Sequence, residues 1–168
     1  QRAIETLRMG LLNKCWLRFD KVAWPADVDW IEWLGPQDGM WSEWVSLAHG
    51  AKVPVLLGFH AGKQARQMEM LDDAAMTGAA HTALKTMFGS AFPAPRAAQV
   101  TRWSLDPLAQ GSYSFNAVGA SRDTRRALFG VDWDGRLAFA GEAASADCFG
   151  TAHGAVLSGR SAAKLIAG

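Results

Sequence analysis

Lys14 lies in an alternating, mostly apolar segment, Leu11 to Trp24 (LLNKCWLRFDKVAW), and is a candidate for acid–base work. A lysine among apolar strand neighbours has two options. It carries its ammonium out to water along a flexible stem, or it keeps it in a pocket where desolvation favours the neutral amine. A second candidate is the run Thr101 to Ser114 (TRWSLDPLAQGSYS), which carries Trp103 and the only tyrosine of the chain, Tyr113. Read plainly, it is a strand and a turn with one packed tryptophan; an aromatic face can also hold a charged amine by cation–π attraction. The third candidate is the end of the chain, Leu137 to Gly168, with the order strand, acidic turn at Gly141-Glu142, small-residue loop, and helix from about Gly150. Gly150, Gly154, Ser158 and Ala162 share one ridge of that helix, and Thr151, Ala155, Gly159 and Ala163 the next. Each interior glycine costs about 1 kcal/mol against alanine, so something must approach the backbone closely. That partner is either a neighbouring strand or a flat ligand at the N-terminal turn, where unpaired N–H groups attract electron-rich atoms.

Metal and disulfide chemistry have little to build on. Cys15 and Cys148 form no CxxC pair and read as small buried residues, and His49, His60, His81 and His153 show none of the close spacings of a zinc site. No metal is expected. A net charge of +1 gives no electrostatic reason to expect nucleic acid as a partner, and no apolar run approaches the length of a membrane span. The expected compartment is the cytoplasm. The chain opens at Gln1 without Met, in what looks like a helix, so its true start is expected upstream.

The elements that must position these residues can be read from periodicity. Arg2 to Met9 predicts a short helix capped at Gly10. Leu11 to Trp24, Asp29 to Leu34, Met40 to Ala48 and Val53 to His60 predict the strands of one sheet, with a turn cluster at Gly35–Gly39. Gly62 opens a long helical region that Asp72-Asp73 can restart and Gly89 closes. A proline-rich connector, Ser90 to Ala98, leads to a strand at Gln99 to Ser104. A short helix at Arg122 to Phe129 starts at Ser121 or Asp123, and Gly130 to Gly135 is a polar turn. Eight tryptophans point to a broad aromatic wall inside a core or a pocket.

Ala140-Gly141-Glu142-Ala143 followed by Gly150-Thr151-Ala152-His153-Gly154-Ala155-Val156-Leu157-Ser158-Gly159 resembles the C-terminal FAD-binding segment of the flavin-containing amine oxidases. That family includes polyamine oxidases, monoamine oxidases and lysine-specific histone demethylases. Leu12-Asn13-Lys14 with Leu17, Phe19-Asp20 and Trp24-Pro25 is similar to its strand bearing the lysine that holds a water against flavin N5. Thr101 to Ser114 is similar to its TRW…DP…GSYS signature. The resemblance implies Lys14 as catalytic residue, and Tyr113, Trp103 and Thr151 as substrate-binding residues. It implies contact of FAD with Trp103, Leu108, Ser112, Gly141, Glu142, Ala143, Gly150, Thr151, Ala152 and Ala155. Ser112 stands where monoamine oxidases bear a flavin-bonded cysteine, so the FAD is expected to be non-covalent. Thr151 replaces their second cage tyrosine, which implies a more open pocket and a larger amine than a simple arylalkylamine.

The implied fold is α+β. A mixed β-sheet substrate-binding domain flanked by helices, residues 1–130, is expected to precede the C-terminal strand and helix of an FAD-binding Rossmann-like domain, residues 131–168. The implied reaction takes an amine's α-carbon hydride to flavin N5, hydrolyses the imine and returns electrons to dioxygen as hydrogen peroxide. The GxGxxG turn for the ADP half of FAD is nowhere in the sequence. The rest of that domain is therefore expected from upstream chain, and the 168 residues alone are expected to be inactive, to bind FAD weakly and to self-associate through the exposed domain face. The rival expectations are a superfamily flavoprotein of the desaturase or porphyrinogen oxidase type, and a non-catalytic binding fragment.

Overall fold

Residues 11 to 20 alternate between buried and less buried positions at every step in a computed structural model, which describes residues 2–37 and 39–167. Gln1, Asp38 of the predicted turn cluster and Gly168 at the end of the predicted C-terminal segment lie outside the described residues. In chain order the elements are α1 (Arg2–Thr6), β1 (Leu7–Gly10), β2 (Leu12–Arg18), β3 (Trp30–Glu32), β4 (Glu43–Ser46), β5 (Val55–Ala61), α2 (Gly62–Glu69) and α3 (Asp73–Phe88). They continue with β6 (Ala97–Val100), β7 (Tyr113–Asn116), α4 (Arg122–Leu128), β8 (Gly130–Asp132), β9 (Leu137–Phe139), a 3₁₀ turn (Glu142–Ala144) and α5 (Ala152–Ala167). The class is α+β, as expected.

The chain packs as two units, one made of Leu11–Gln110, the other of Gln1–Gly10 with Gly111–Gly168. The division between these packing units lies near residue 110. The reason is chemical: Ser114 and Arg125 bond directly to Glu142 and Ala143 and hold 111–130 to the terminal segment.

In the Leu11–Gln110 unit, five strands lie in the order β3-β4-β5-β2-β6, and every pair is antiparallel, a narrower outcome than the mixed sheet expected. One face carries Cys15 and Leu17 of β2, and Phe19 just beyond it, with Leu56 of β5 and Trp44 of β4, packed against Met76, Ala80 and Leu84 of α3. The restart of the helix is realised by Asp72, whose carboxylate accepts from Ala75 N at 2.7 Å as an N-cap. Burial, with the Asp73 charge adding to it, pushes the Cys15 thiol up to about 12, which leaves it an inert core residue. Cys148, read as buried, is only half-buried.

Part of the aromatic wall is core: Trp41 and Trp44 stack with centroids 5.3 Å apart, and the Trp44 indole donates to Trp41 O at 2.8 Å. Both rings lie over Gly58, where a Cβ would come within 2.9 Å of each. Gly58→Ala should therefore destabilise the fold by about 1–3 kcal/mol through overpacking. Urea unfolding followed by tryptophan fluorescence measures it, and an unchanged midpoint would refute the close fit.

Three local expectations need correction. The predicted helix Arg2–Met9 stops at Thr6, because Leu7–Gly10 pairs antiparallel with Tyr113–Asn116. The polar turn at 130–135 is half strand: Gly130–Asp132 pairs with Leu137–Phe139, and the reversal lies at 133–136, with Trp133, Asp134 and Gly135 at positive φ. The strand predicted at Gln99–Ser104 ends at Val100, since Trp103 to Leu105 turn away over α2.

Candidate functional site

The sheet face opposite α3 belongs to Lys14. It is half-buried on β2, directly across from Phe59 of β5, and its Nζ sits 5.9 Å from the centre of that ring. Trp30 of β3 stacks on Phe59 with centroids 5.8 Å apart and planes 19° from parallel, and half of Trp30 is exposed. Trp16, on the same side of β2, is half-buried. Period-two alternation is what separates this open aromatic face from the core face one residue away.

The backbone of Lys14 is tied to the 101–104 segment on both sides. Its N–H donates to Thr101 Oγ1 at 2.8 Å, and its carbonyl accepts from Thr101 N at 3.0 Å. Trp103 N donates to Asn13 Oδ1 at 3.1 Å, so Trp103 is anchored one residue from Lys14, with its ring 40% exposed. Arg102 holds the same segment from the other side, with Nη1 on Asp73 at 2.6 Å and Nη2 on Leu71 O at 2.8 Å. Leu108 sits in a turn in which Asp106 Oδ1 accepts from Leu108 N and Ala109 N, both at 2.8 Å, and its side chain is almost fully exposed. Within this unit the structure therefore ties the backbone at Trp103 to the residue before Lys14 and leaves Leu108 standing out from the surface.

In the other unit, Tyr113 opens β7 with its ring 40% exposed, while Ser114 beside it is buried. The strand lies close on β1: a Cβ on Gly111, at φ +151, would come within 2.2 Å of the Met9 side chain, so only glycine serves there. Ser112 N donates to Gly10 O at 2.8 Å and fixes the start of the strand.

Glu142 is neither a free turn carboxylate nor an open acceptor. Its Oε1 accepts from Ser114 N at 2.7 Å, and its Oε2 from Ser114 Oγ at 2.8 Å and Gly150 N at 2.6 Å. Behind it lies Arg125, fully buried, donating to Asn116 Oδ1, Ser114 Oγ and Ala143 O, with its guanidinium 3.8 Å from the Phe149 ring centre. Burial pulls the Arg125 guanidinium below its ordinary range, with the Glu142 charge working the other way. Gly141 is held from both sides by Ser158 of α5, whose hydroxyl accepts from Gly141 N at 2.9 Å and lies 2.7 Å from Gly141 O.

Thr151 is the N-cap of α5: its hydroxyl accepts from Gly154 N at 3.1 Å and donates to Cys148 O at 2.5 Å. That hydroxyl is committed to the helix start. What approaches Gly154 is the chain's own loop, since a Cβ there would meet Cys148 O at 2.0 Å; Gly159 has no described atom within 4 Å of its Cβ position. Gly154, Ser158 and Ala162 form the buried stripe of α5, and Ala152 is exposed at its start. Ala143 precedes the buried Ala144 in the 3₁₀ turn, and Ala155 is half-buried.

Sequence reading missed Asn13, Glu69, Ser114 and Arg125 as parts of the site's support. Asn13 and Ser114 each adjoin a residue it had singled out. Glu69 and Arg125 carry no local signal, because an acidic or basic residue on a short helix reads as solvated.

Among the described residues no group of three or more His, Cys, Asp or Glu side chains is placed to hold a metal ion, and no helix is long and apolar enough to cross a membrane.

The sequence profile of the family described as flavin containing amine oxidoreductase matches residues 1–167. Relatives include the possible lysine-specific histone demethylase 1 of Drosophila melanogaster, 36% identical over 99% of this chain and 20% of its own length. Polyamine oxidase 4 of Oryza sativa subsp. japonica is 38% identical, and the probable polyamine oxidase 4 of Arabidopsis thaliana 36%, each over 96% of this chain and 32% of its own length. The chain thus spans about a fifth to a third of these curated relatives. A solved putrescine oxidase, redesigned in its cofactor binding, has the same fold over 99% of this chain and 37% of its own, with a TM-score of 0.74 at 18% identity.

Proposed function

The chain belongs to the flavin-containing amine oxidoreductases, and from that premise we propose that it is the C-terminal part of an FAD-dependent oxidase acting on an amine larger than a simple arylalkylamine. Family membership implies a flavin cofactor; FAD held without a covalent bond, with Ser112 at the position of the bonding cysteine, is part of the proposal. When bound, the flavin supplies a two-electron acceptor that dioxygen restores, with release of hydrogen peroxide. In this assignment residues 131–168 supply the last strand and helix of the FAD-binding domain, and residues 11–110 belong to the substrate-binding domain.

The observation that carries the proposal is the setting of Lys14. Its side chain stands on the open aromatic face of the sheet beside Phe59, and its backbone is pinned to the segment that bears Trp103. A primary amine fixed on a rigid strand can hold a water or move a proton at the reacting centre without reorganising. Trp103 and Tyr113 offer partly exposed aromatic faces, which attract the charged form of an amine.

The residues also fit a flat, anionic-edged cofactor. Outside the adjoining residues, no described atom lies within 4 Å of a Cβ position on Gly141 or Gly150, so the chain leaves space at these two positions. Backbone N–H groups at the start of α5 favour negative charge. Thr151 and Glu142 contribute by shaping the surface here, since their own polar atoms are already bonded within the chain.

A substrate panel with peroxide detection tests the assignment in the protein carrying bound FAD. Polyamines and lysine-type amines should give amine-dependent peroxide; oxidation of carbon–carbon bonds with no amine turnover would overturn it in favour of a desaturase or porphyrinogen oxidase. The 168-residue stretch by itself is expected to hold FAD weakly.

A further inference from the structure

Glu69 ends α2 with only 5% of its surface exposed, and nothing in the reaction assigned above uses it. Its Oε1 accepts from Asn13 Nδ2 at 2.7 Å and from Ser104 N at 3.0 Å, and its Oε2 accepts from Ser104 Oγ. Burial works against its charge, yet the bonds from Ser104 and Asn13 and the Arg66 charge hold its carboxyl below the ordinary range. It is therefore an acceptor at neutral pH, with no proton to donate.

That fixes the direction of each bond beyond it. An asparagine amide can be turned either way, but a carboxylate facing it demands the NH₂ end, so Asn13 must aim Oδ1 the other way. There it accepts from Trp103 N and from Thr101 Oγ1, both at 3.1 Å. The single hydroxyl proton of Thr101 is then spent on Asn13, which leaves its lone pairs to accept Lys14 N at 2.8 Å.

We propose that Glu69 is a positioning residue that, through Asn13 and Thr101, sets the offset between Trp103 and Lys14. The claim rests on the functional reading for the importance of those two residues, but the clamp itself is independent of it. Glu69→Met keeps most of the side-chain length and offers no acceptor to the three donors, so the Asn13 amide loses the group that orients it and Ser104 loses both of its bonds.

The test is amide hydrogen exchange on wild type and E69M, followed by kinetics on the flavin-loaded protein. Exchange at Trp103 and Ser104 should speed up by about tenfold or more while Leu56 and Leu57 of β5 keep their protection. Unchanged exchange at 103–104, or equal acceleration in β5, overturns the clamp. If E69M does not fold, N13A removes the amide that links Glu69 to Trp103 N and is read at the same amides by the same criteria. With the amides loosened, kcat for the amine should fall about tenfold with KM within about twofold; an unchanged kcat overturns the positioning role. A wild type that oxidises no amine defeats the functional reading instead, and the exchange result still decides the clamp.

Discussion

Lys14→Met lowers amine-dependent turnover, or the reoxidation half-reaction, by about 10²- to 10⁴-fold in the flavin-loaded protein, the range in which a positioned acid–base group acts. The substitution isolates the ammonium. Methionine keeps an unbranched stem, the β2 backbone bonds to Thr101 and the pairing with Phe59 do not involve the side chain, and the position is only half-buried. Stability should change by less than about 0.5 kcal/mol, as for substitutions away from core features. Anaerobic stopped-flow reduction followed by mixing with oxygen separates the two half-reactions. Peroxide production at the wild-type rate would reject Lys14 as the acting residue.

The second large effect is on stability. Arg125→Met should cost about 3 kcal/mol in urea unfolding, because it strands three acceptors of a closed network: Asn116 Oδ1, Ser114 Oγ and Ala143 O. One nitrogen, Nη2, is buried without a hydrogen-bond partner among the described residues, so the arginine carries an uncompensated cost that keeps the figure at the low end of the 3–5 kcal/mol typical of broken buried charge networks. The thioether refills part of the volume over Phe149 but offers no donor. The loss should reach Glu142 through Ser114 and thence Gly150 at the foot of α5. An unfolding midpoint within error of wild type would mean that the network is not what holds residues 111–130 to the terminal segment.

Local pattern was enough where a strand has one wet face and one dry face. The alternation around Lys14 separates the two faces of β2 as the structure does, and the Asp72 restart and Ser121 cap are legible because capping chemistry is local. Pattern failed where a partner is distant. Leu7–Met9 reads as the end of a helix capped at Gly10, and the segment is a strand because Tyr113–Asn116 lies against it. The supporting acids behave alike: Glu69 meets Ser104 35 residues away, and Glu142 meets Ser114 across 28. Neither contact leaves a trace in the spacing around either residue. Gly154 was legible as a point of close approach, but the approaching group, Cys148 O, lies only a few residues upstream.

β2 pairs with β5 along its whole length and with β6 over Cys15–Arg18, which freezes its length, as distinct from its composition. Loss or gain of one residue within it would exchange its faces, driving an ammonium into the aromatic and aliphatic layer under α3 and leaving a thiol where the amine should stand. Descendants of this chain are thus free to vary side chains at positions such as Trp16, while insertions and deletions must be absorbed outside it, in the bends that flank residues 12–18.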